Sequence, residues 1–351
     1  MKIAVIAPAR HPIVEPYAGG LEAFCGLLVD HLRRRGHHVD LYAARGSHGH
    51  VAEYEFPGVD WRGLDAFASD VAYPPGQREA EDEAFRRLRH HLEASDYDVV
   101  HNNSLHPELL RSRILPLLTT LHCPPLAEME EALADSTSAL TAVSRATADS
   151  WNVPGPVAVL PNGVDGDIWR PRPGPVGEHV IWFGRLVPEK GAHVAIDACR
   201  RAGLRLLVVG RCGDPSYRDA ELVPRAGDDV RFLPPQRHRD LARLVGSAAV
   251  AAVTPLWDEP FGLVTVEAMA CGTPVVAFAR GGIVDTMHDA PGILVPPGDV
   301  DAFAAALLAA RDIDRTAVTR HVQRRHSLNA VVTDYLDHYR IVARDRSAEP
   351  A

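Results

Sequence analysis

Short apolar runs alternate with longer amphipathic segments along almost the whole chain. Near its start, an apolar run over 2–8 precedes a loop, and an amphipathic segment over 21–35 ends at Gly36. Glycine is common just beyond the last turn of a helix, so Gly36 marks a helix end. An apolar run over 39–43 follows. This order predicts a strand, a helix and a second strand, which is how a parallel doubly wound sheet begins.

The same alternation predicts most of the remaining secondary structure. Short runs rich in valine, isoleucine and leucine are typical of strands buried in a parallel sheet. Residues 44–77 show no period and are predicted to be irregular. The further predicted strands are 96–101, 116–121, 139–143, 157–160, 179–183, 205–209, 230–233, 248–253, 274–278 and 292–295. The further predicted helices are 78–93, one ending near 201, 240–246, one opened by Gly262, 300–310 and 327–342.

A proline-rich stretch, Pro171-Arg172-Pro173-Gly174-Pro175, has the composition of a linker. The chain has 351 residues, which is more than a single hydrophobic core usually serves. We therefore predict an N-terminal domain over 1–165 and a C-terminal domain over 175–326. Each is predicted to be an α/β domain with a doubly wound parallel sheet.

Composition and charge exclude several classes of protein. Hydrophobic residues make up 46% and charged residues 24%, as in a soluble globular protein. No apolar run reaches the roughly 18 residues of a membrane helix, and the N-terminal run is too short for a signal peptide. The net charge of −9 argues against nucleic acid as a partner. The five cysteines form no Cys-x-x-Cys pair, so we predict a reducing, cytoplasmic location.

Two arginine-rich helical stretches, 33–35 and 86–89, bear on a membrane partner. In a chain of net negative charge we interpret them as solvated helix faces, with weak membrane association as the alternative. No feature of the sequence indicates an oligomeric state.

Glu267 is the single charged residue between Glu259 and Arg280, within an otherwise apolar run. An ionised carboxylate in such surroundings is costly unless something hydrogen-bonds it, which suggests a ligand. Gly262 opens the helix, whose N–H groups and dipole favour a phosphate. Glu267 follows Leu263 by about 6 Å along the helix axis. A phosphate at the helix mouth and a ribose on the carboxylate would suit this spacing.

Arg185 and Lys190 lie in a glycine-flanked loop between a strand and a helix, a common place for phosphate binding. Only two of the 37 basic residues are lysines, Lys2 and Lys190. An ammonium is a compact point charge, which the planar guanidinium of arginine does not reproduce. Chance retention of one lysine is the alternative.

Polar residues follow predicted strands of the first domain. His101, Asn102, Asn103 and His122 stand at carboxyl ends of strands, where ligands gather in open parallel sheets. The alternative is that these side chains are satisfied structural groups. The pair Gly19-Gly20 begins the first helix, where free N–H groups suit an anion or a hydroxyl, or simply form a turn. The loop between the first predicted strand and this helix lacks the Gly-x-Gly-x-x-Gly motif, which argues against a dinucleotide-binding site.

Several motifs occur in one order over most of the chain. They are Gly19-Gly20-Leu21-Glu22, Thr120-Leu121-His122, Ala142-Val143-Ser144, Pro161-Asn162-Gly163-Val164-Asp165, Phe183-Gly184-Arg185-Leu186, Glu189-Lys190-Gly191, Glu259-Pro260-Phe261-Gly262-Leu263, Glu267-Ala268 and Cys271-Gly272-Thr273-Pro274-Val275-Val276. The set resembles the retaining GT-B glycosyltransferases of family four, and the Glu259-to-Glu267 spacing is its most specific part. The resemblance implies two Rossmann-like domains facing across an interdomain cleft, with the last helix, 327–351, packing back on the first.

The resemblance also implies roles for individual residues. Arg185, Lys190, Gly262 and Leu263 would hold the donor diphosphate, and Glu267 the ribose. Glu259, Phe261 and Gly262 would contact the donor sugar, and His122 would contact it near its reacting carbon. Gly19 and Gly20 would lie on the acceptor side. For Glu259, the alternative is an acidic residue that precedes a helix start. His101 and Asn102 are possible acceptor-side residues.

The implied reaction moves a sugar from a nucleotide-diphosphate sugar to a hydroxyl acceptor, which could be a natural product, a saccharide or a lipid. Neither a metal nor another cofactor is expected, because no Asp-x-Asp pair stands near the site. Two alternatives remain at this stage. The chain could be an epimerase or phosphorylase of the same fold, or a non-catalytic binder of nucleotide sugars.

Overall fold

The computed structural model describes residues 1–60, 69–70 and 72–348. These residues form two compact units. The first unit contains the described residues within Met1–Phe67, Ala72–Pro161 and Asn329–Ala351. The second contains those within Ala68–Val71 and Asn162–Leu328.

The first unit is built on a six-stranded parallel sheet with strand order β2-β1-β3-β4-β5-β6. The strands are β1 (Lys2–Ile6), β2 (His38–Tyr42), β3 (Val99–Asn102), β4 (Leu117–Leu121), β5 (Ala139–Ala142) and β6 (Val157–Val159). The helices are α1 (Gly20–Arg34), α2 (Gln77–Glu93), α3 (Ala127–Leu133) and α4 (Arg145–Ser150), with 3₁₀ turns at Ala52–Tyr54 and Pro107–Arg111. Every residue of β3 and β4 is buried, including His101, Asn102, Thr119 and Thr120, so the polar side chains of these two strands need hydrogen-bond partners inside the protein.

The second unit contains another six-stranded parallel sheet, with strand order β12-β11-β10-β7-β8-β9. Its strands are β7 (Val180–Phe183), β8 (Leu206–Val209), β9 (Val230–Leu233), β10 (Val250–Val253), β11 (Val275–Phe278) and β12 (Ile293–Val295). Its helices are α5 (Ala192–Arg201), α6 (Pro215–Tyr217), α7 (His238–Ser247), α8 (Leu263–Ala270), α9 (Gly282–Thr286), α10 (Val300–Ala309) and α11 (Arg315–Arg325), with shorter turns at Pro188–Lys190, Arg218–Leu222, Val223–Arg225 and Ala310–Asp312. The prediction of two doubly wound α/β sheets is confirmed.

The last helix, α12 (Leu328–Ala348), lies with the first unit from Asn329 onward. The residues of its predicted apolar stripe are all buried: Leu328, Val331, Val332, Tyr335, Leu336 and Tyr339. Arg35, at the end of α1, donates hydrogen bonds to the Asn329 carbonyl and to the Thr333 hydroxyl, 2.5 and 2.9 Å away. Apolar burial and these contacts together hold α12 on the first sheet.

The structure differs from the sequence prediction at the domain boundary and in helices that were not predicted, among them α3, α9 and α11. Residues 162–165, predicted in the N-terminal domain, belong to the second unit, where Val164 exchanges backbone hydrogen bonds with His326 and Leu328. Helix α11 was not predicted, because its two apolar core residues, Val318 and Val322, are too few to make a periodic pattern. Its N-cap is Asp314, whose side chain accepts a hydrogen bond from the Thr316 N–H.

The thiols at positions 25, 123, 199, 212 and 271 are all free. None of the described helices is both long and apolar enough to cross a membrane.

Candidate active site

Two loops of the second unit carry the predicted donor-binding cations and carboxylates. One follows β7 and contains Arg185 and Lys190, and the other follows β10 and contains Glu259. Strands β7 and β10 are parallel neighbours, so both loops leave the same edge of the sheet. Lys190 and Glu259, which are 69 positions apart along the chain, therefore meet.

A glycine allows these loops to approach each other closely. Gly191 has φ of +66°, and a Cβ built there would lie 2.1 Å from the Thr254 carbonyl oxygen. The Thr254 hydroxyl donates to the Gly191 carbonyl oxygen over 2.8 Å, and the Leu256 N–H donates to the Glu189 carbonyl oxygen over 2.8 Å. A side chain at position 191 would push the two loops apart.

Lys190 and Glu259 form an ion pair at this junction. The lysine Nζ lies 2.5 Å from Glu259 Oε2, and the Trp257 indole N–H donates to the same oxygen over 3.0 Å. The lysine Nζ also lies 5.2 Å from the centre of the Trp257 ring. The structure thus joins two residues that the sequence assigned separately to the diphosphate and to the sugar.

Arg185 takes part in a second charged cluster. Its Nη1 lies 3.0 Å from Asp70 Oδ2, and its Nη2 lies 3.7 Å from Glu189 Oε1. Arg211, which follows β8, reaches the same Asp70 oxygen over 2.6 Å. Neither Asp70 nor Arg211 was identified from the sequence, because nothing in their local pattern indicates a partner 115 or 141 positions away.

Helix α8 begins beside the Glu259 loop, as the sequence predicted. Gly262 is its N-cap with φ of +80°, and a Cβ there would lie 2.7 Å from Ile283 Cγ1. The Glu259 carbonyl oxygen accepts from the Gly282 N–H over 2.7 Å, which ties this loop to the start of α9. Phe261 and Leu263 flank the N-cap, with Phe261 buried.

Glu267 lies within α8 and is only 6% exposed. Among the residues that the structure describes, no hydrogen bond or ion pair reaches its carboxylate. Burial raises the pKa of Glu267 from 4.5 to about 8. The unusual carboxyl group identified in the sequence is therefore buried without a partner among the described residues, as a ligand-binding group would be.

His122 of the first unit follows β4 and contacts Asn103, which follows β3. Asn103 donates through its amide nitrogen to the His101 carbonyl oxygen, so its Oδ1 accepts from His122 Nε2 over 2.8 Å. Burial lowers the pKa of His122 to about 3. His122 is thus a neutral imidazole whose Nδ1 carries the lone pair, and Phe24 packs on its ring with centroids 5.2 Å apart.

His101 and Asn102 are fully buried, and their contacts favour the structural alternative over an acceptor-side role. His101 Nδ1 lies 2.7 Å from the Tyr339 hydroxyl, and its Nε2 lies 2.8 Å from Thr120 Oγ1. Asn102 Oδ1 accepts from both the N–H and the hydroxyl of Ser104, over 3.1 and 2.6 Å. These groups have their polar atoms occupied within the protein.

Gly19 and Gly20 are located at the start of α1, as predicted. Gly19 is the N-cap, with an extended backbone that any residue could adopt. A Cβ on Gly19 would lie 2.9 Å from Glu22 Oε2, so the small residue leaves room for that buried carboxylate.

Within the described part of the chain, no group of three or more histidine, cysteine or acidic side chains could hold a metal ion.

Two family models match the chain, one for each half. The model described as "Glycosyltransferase Family 4" matches residues 18–167, and that described as "Glycosyl transferases group 1" matches residues 177–312. Two Rossmann-like sheets and these matches define a glycosyltransferase of the GT-B class.

Similar proteins are enzymes that transfer sugars. The D-inositol 3-phosphate glycosyltransferase of Mycobacterium tuberculosis is 31% identical over 367 aligned positions, which cover 87% of this chain and 74% of the relative. The chain belongs to glycosyltransferase family 4, the group 1 glycosyltransferases. It is therefore an enzyme that moves a sugar to an acceptor, as the sequence predicted.

Solved structures share the fold. Sucrose-phosphate synthase of Thermosynechococcus elongatus has a TM-score of 0.75 and 24% identity, with 97% of this chain and 98% of that chain covered. HepE of Anabaena, solved with UDP-glucose, has a TM-score of 0.71 and 20% identity, with 96% and 100% covered. At these identities the likeness concerns the fold.

Proposed function

We propose that this glycosyltransferase takes its sugar from a nucleoside diphosphate sugar and passes it to a hydroxyl acceptor with retention of anomeric configuration. The observation that carries the proposal is the Lys190–Glu259 pair, 2.5 Å apart beside the start of α8. A cation and helix N–H groups suit a diphosphate, and a carboxylate suits sugar hydroxyls. HepE binds a donor of this chemical class, UDP-glucose.

Each part of the donor has a group to receive it. Lys190 and Arg185, with the Gly262 and Leu263 N–H groups, bind the diphosphate and stabilise the charge that develops on it as it leaves. Glu267 accepts from the ribose hydroxyls, which supply the hydrogen bonds that its buried carboxylate lacks among the described residues. When Lys190 turns to the phosphate, Glu259 becomes available to the sugar, beside the Phe261 backbone.

His122 contacts the sugar as a neutral hydrogen-bonding group in this proposal. Its Nε2 proton is engaged by Asn103, so the free Nδ1 accepts from a hydroxyl. Burial lowers the pKa of His122 to about 3, which favours a neutral hydrogen-bonding ring over an imidazolium acting as a general acid near neutral pH. Gly19 and Gly20 lie on the acceptor side, and their small size leaves space there.

The acceptor is proposed to be a small hydroxyl-bearing molecule. The curated relative is named for a polyol phosphate, and the synthase of similar fold for a sugar phosphate product. Neither a metal nor another cofactor takes part in the proposed reaction, and a cytoplasmic location remains a prediction.

The test is a thermal-shift screen of nucleotide sugars followed by turnover assays. A donor at about 100 times its Kd stabilises the folded state by about 2.7 kcal/mol, which is a measurable rise in Tm. Glu267→Ala and Lys190→Ala should lose turnover while keeping the fold. Unchanged turnover in both variants would disprove the assigned site, and donor conversion without any acceptor would identify an epimerase instead.

A further inference from the structure

We infer that Asp70 is an intramolecular competitor of the donor diphosphate, and that Arg185 and Arg211 together form the anion subsite for which they compete. The inference rests on the proposed function, because it takes Arg185 as a diphosphate ligand. It adds Arg211 as a second cation of that subsite and gives donor binding a step in which Asp70 must leave.

The two guanidinium groups converge on a single oxygen. Asp70 Oδ2 lies 3.0 Å from Arg185 Nη1 and 2.6 Å from Arg211 Nη2, and the Asp70 side chain is only 6% exposed. Arginine presents several N–H donors in a fixed fork that matches carboxylate and phosphate oxygens alike. A pair of guanidinium groups that binds a carboxylate in this way also presents a geometry for a phosphate oxygen.

The arginines are held in place by the backbone. The Leu186 N–H donates to the Arg211 carbonyl oxygen over 2.9 Å, and Leu186 pairs with Cys212 in a parallel bridge. The loops that follow β7 and β8 are thereby fixed side by side. The anion subsite does not depend on Asp70 for its framework, so it persists when the carboxylate leaves.

Gly213 makes the room that the Asp70 carboxylate occupies. A Cβ on Gly213 would lie 2.6 Å from Asp70 Oδ2 and 2.7 Å from Val187 Cγ1. Gly213 has no left-handed backbone, so space is what requires a glycine here. The Asp70 N–H also donates to the Gly213 carbonyl oxygen over 2.8 Å. Two contacts therefore seat Asp70 against one glycine.

Competition follows from charge. A diphosphate oxygen and the Asp70 carboxylate carry like charges and would address the same N–H groups, so both cannot occupy the subsite together. Lys190, the other proposed diphosphate ligand, is likewise paired with a carboxylate, that of Glu259. Arg185, Arg211 and Lys190 are thus all paired with carboxylates of the protein itself.

Asp70→Asn tests the inference, with UDP as the probe in isothermal titration calorimetry. Asparagine keeps the size of the side chain and removes its charge. If Asp70 fills the subsite in nine of ten molecules, the variant binds UDP about tenfold more tightly. Arg211→Ala should weaken UDP binding. Asp219→Asn is the matched control, because it removes a charge from an exposed residue paired with its neighbour Arg218, and it should leave affinity unchanged.

Gly213→Ala provides a second route to the same result without a change of charge. The added methyl group displaces the Asp70 carboxylate, so UDP should again bind more tightly, and combining both substitutions should add little. Unchanged or weaker UDP binding by Asp70→Asn and Gly213→Ala would overturn the inference and make Asp70 a residue that positions Arg185.

Hydrogen exchange provides a readout in the wild-type protein. The Asp70 amide is bonded to the Gly213 carbonyl, so saturating UDP should speed its exchange, whereas slower exchange contradicts the inference. The proposed function fails separately, when Arg185→Ala and Lys190→Ala leave UDP binding as it is. If those two variants lose UDP binding but Asp70→Asn does not bind UDP more tightly, the proposed donor site stands and the competition by Asp70 is disproved.

Discussion

The Nζ atom of Lys190 lies 2.5 Å from Oε2 of Glu259, although the two residues are 69 positions apart in the chain. Parallel neighbouring strands bring their loops to one edge of the second sheet, and Gly191 lets the loops approach. The ion pair joins two groups that we assign to different parts of the donor.

Lys190→Ala should reduce kcat/KM by roughly 10²–10³, the usual loss when one stabilising donor at a developing charge is removed. Lys190→Arg should recover little, because a planar guanidinium does not replace a compact ammonium beside Trp257. Steady-state kinetics measure both. Lys2→Ala is the matched control, since Lys2 is the other lysine of the chain and lies on the first unit. Full activity in Lys190→Ala would contradict the assignment.

The raised pKa of Glu267 predicts a pH-dependent stability. The folded state takes up a proton that the unfolded chain lacks between pH 4.5 and about 8, so stability falls as the pH rises through this window. Glu267→Gln removes the cost of ionising a buried carboxylate. We expect the variant to gain on the order of 2–4 kcal/mol over the wild type at pH 9.

Denaturant unfolding at pH 5 and pH 9 measures this difference. The gain should nearly vanish at pH 5, and an equal gain at both pH values would show that ionisation is not its source. At pH 9, where Glu267 is ionised, the same variant should bind UDP more weakly than the wild type, because an amide is a poorer acceptor for ribose hydroxyls than a carboxylate.

His122 should contribute no acid limb to the pH profile of the wild-type enzyme between pH 5 and 7, since its pKa is about 3. Asn103→Asp places a carboxylate against Nε2 and should raise the pKa of His122 by about 1–3 units. The protonated ring loses its free lone pair, so kcat/KM should fall at the acid end. Asn103→Ser serves as the uncharged control. A profile of Asn103→Asp identical to that of the wild type argues against a role for the Nδ1 lone pair.

Tyr339→Phe should destabilise the protein by about 1–3 kcal/mol, because it leaves Nδ1 of a fully buried His101 without its partner. Activity at temperatures where the variant is folded should remain, because both ring nitrogens of His101 are occupied by protein groups and not by a substrate. Ile341→Ala, on an exposed position of the same helix, should change stability little. Loss of turnover in a stable Tyr339→Phe variant would restore the acceptor-side role for His101.

Much of the fold could be predicted from the sequence because each strand and helix leaves a local pattern. Buried parallel strands appear as short apolar runs, and α1 shows both its helical period and its terminal glycine, Gly36, with φ of +82°. Helix α11 leaves no such pattern, since its position depends on contacts such as those that Arg315 makes with the Gly246 and Ala248 carbonyls.

The site shows the same division. Glu267, Gly262 and Lys190 are identified by the chain itself, because an isolated carboxylate, a helix start and a rare lysine are anomalies of local composition. The partners of these groups depend on which loops the sheets bring together. Only the tertiary structure pairs Lys190 with Glu259, places Asp70 between two arginines and buries His101 against Tyr339, because burial and long-range contact are set by packing rather than by neighbours in sequence.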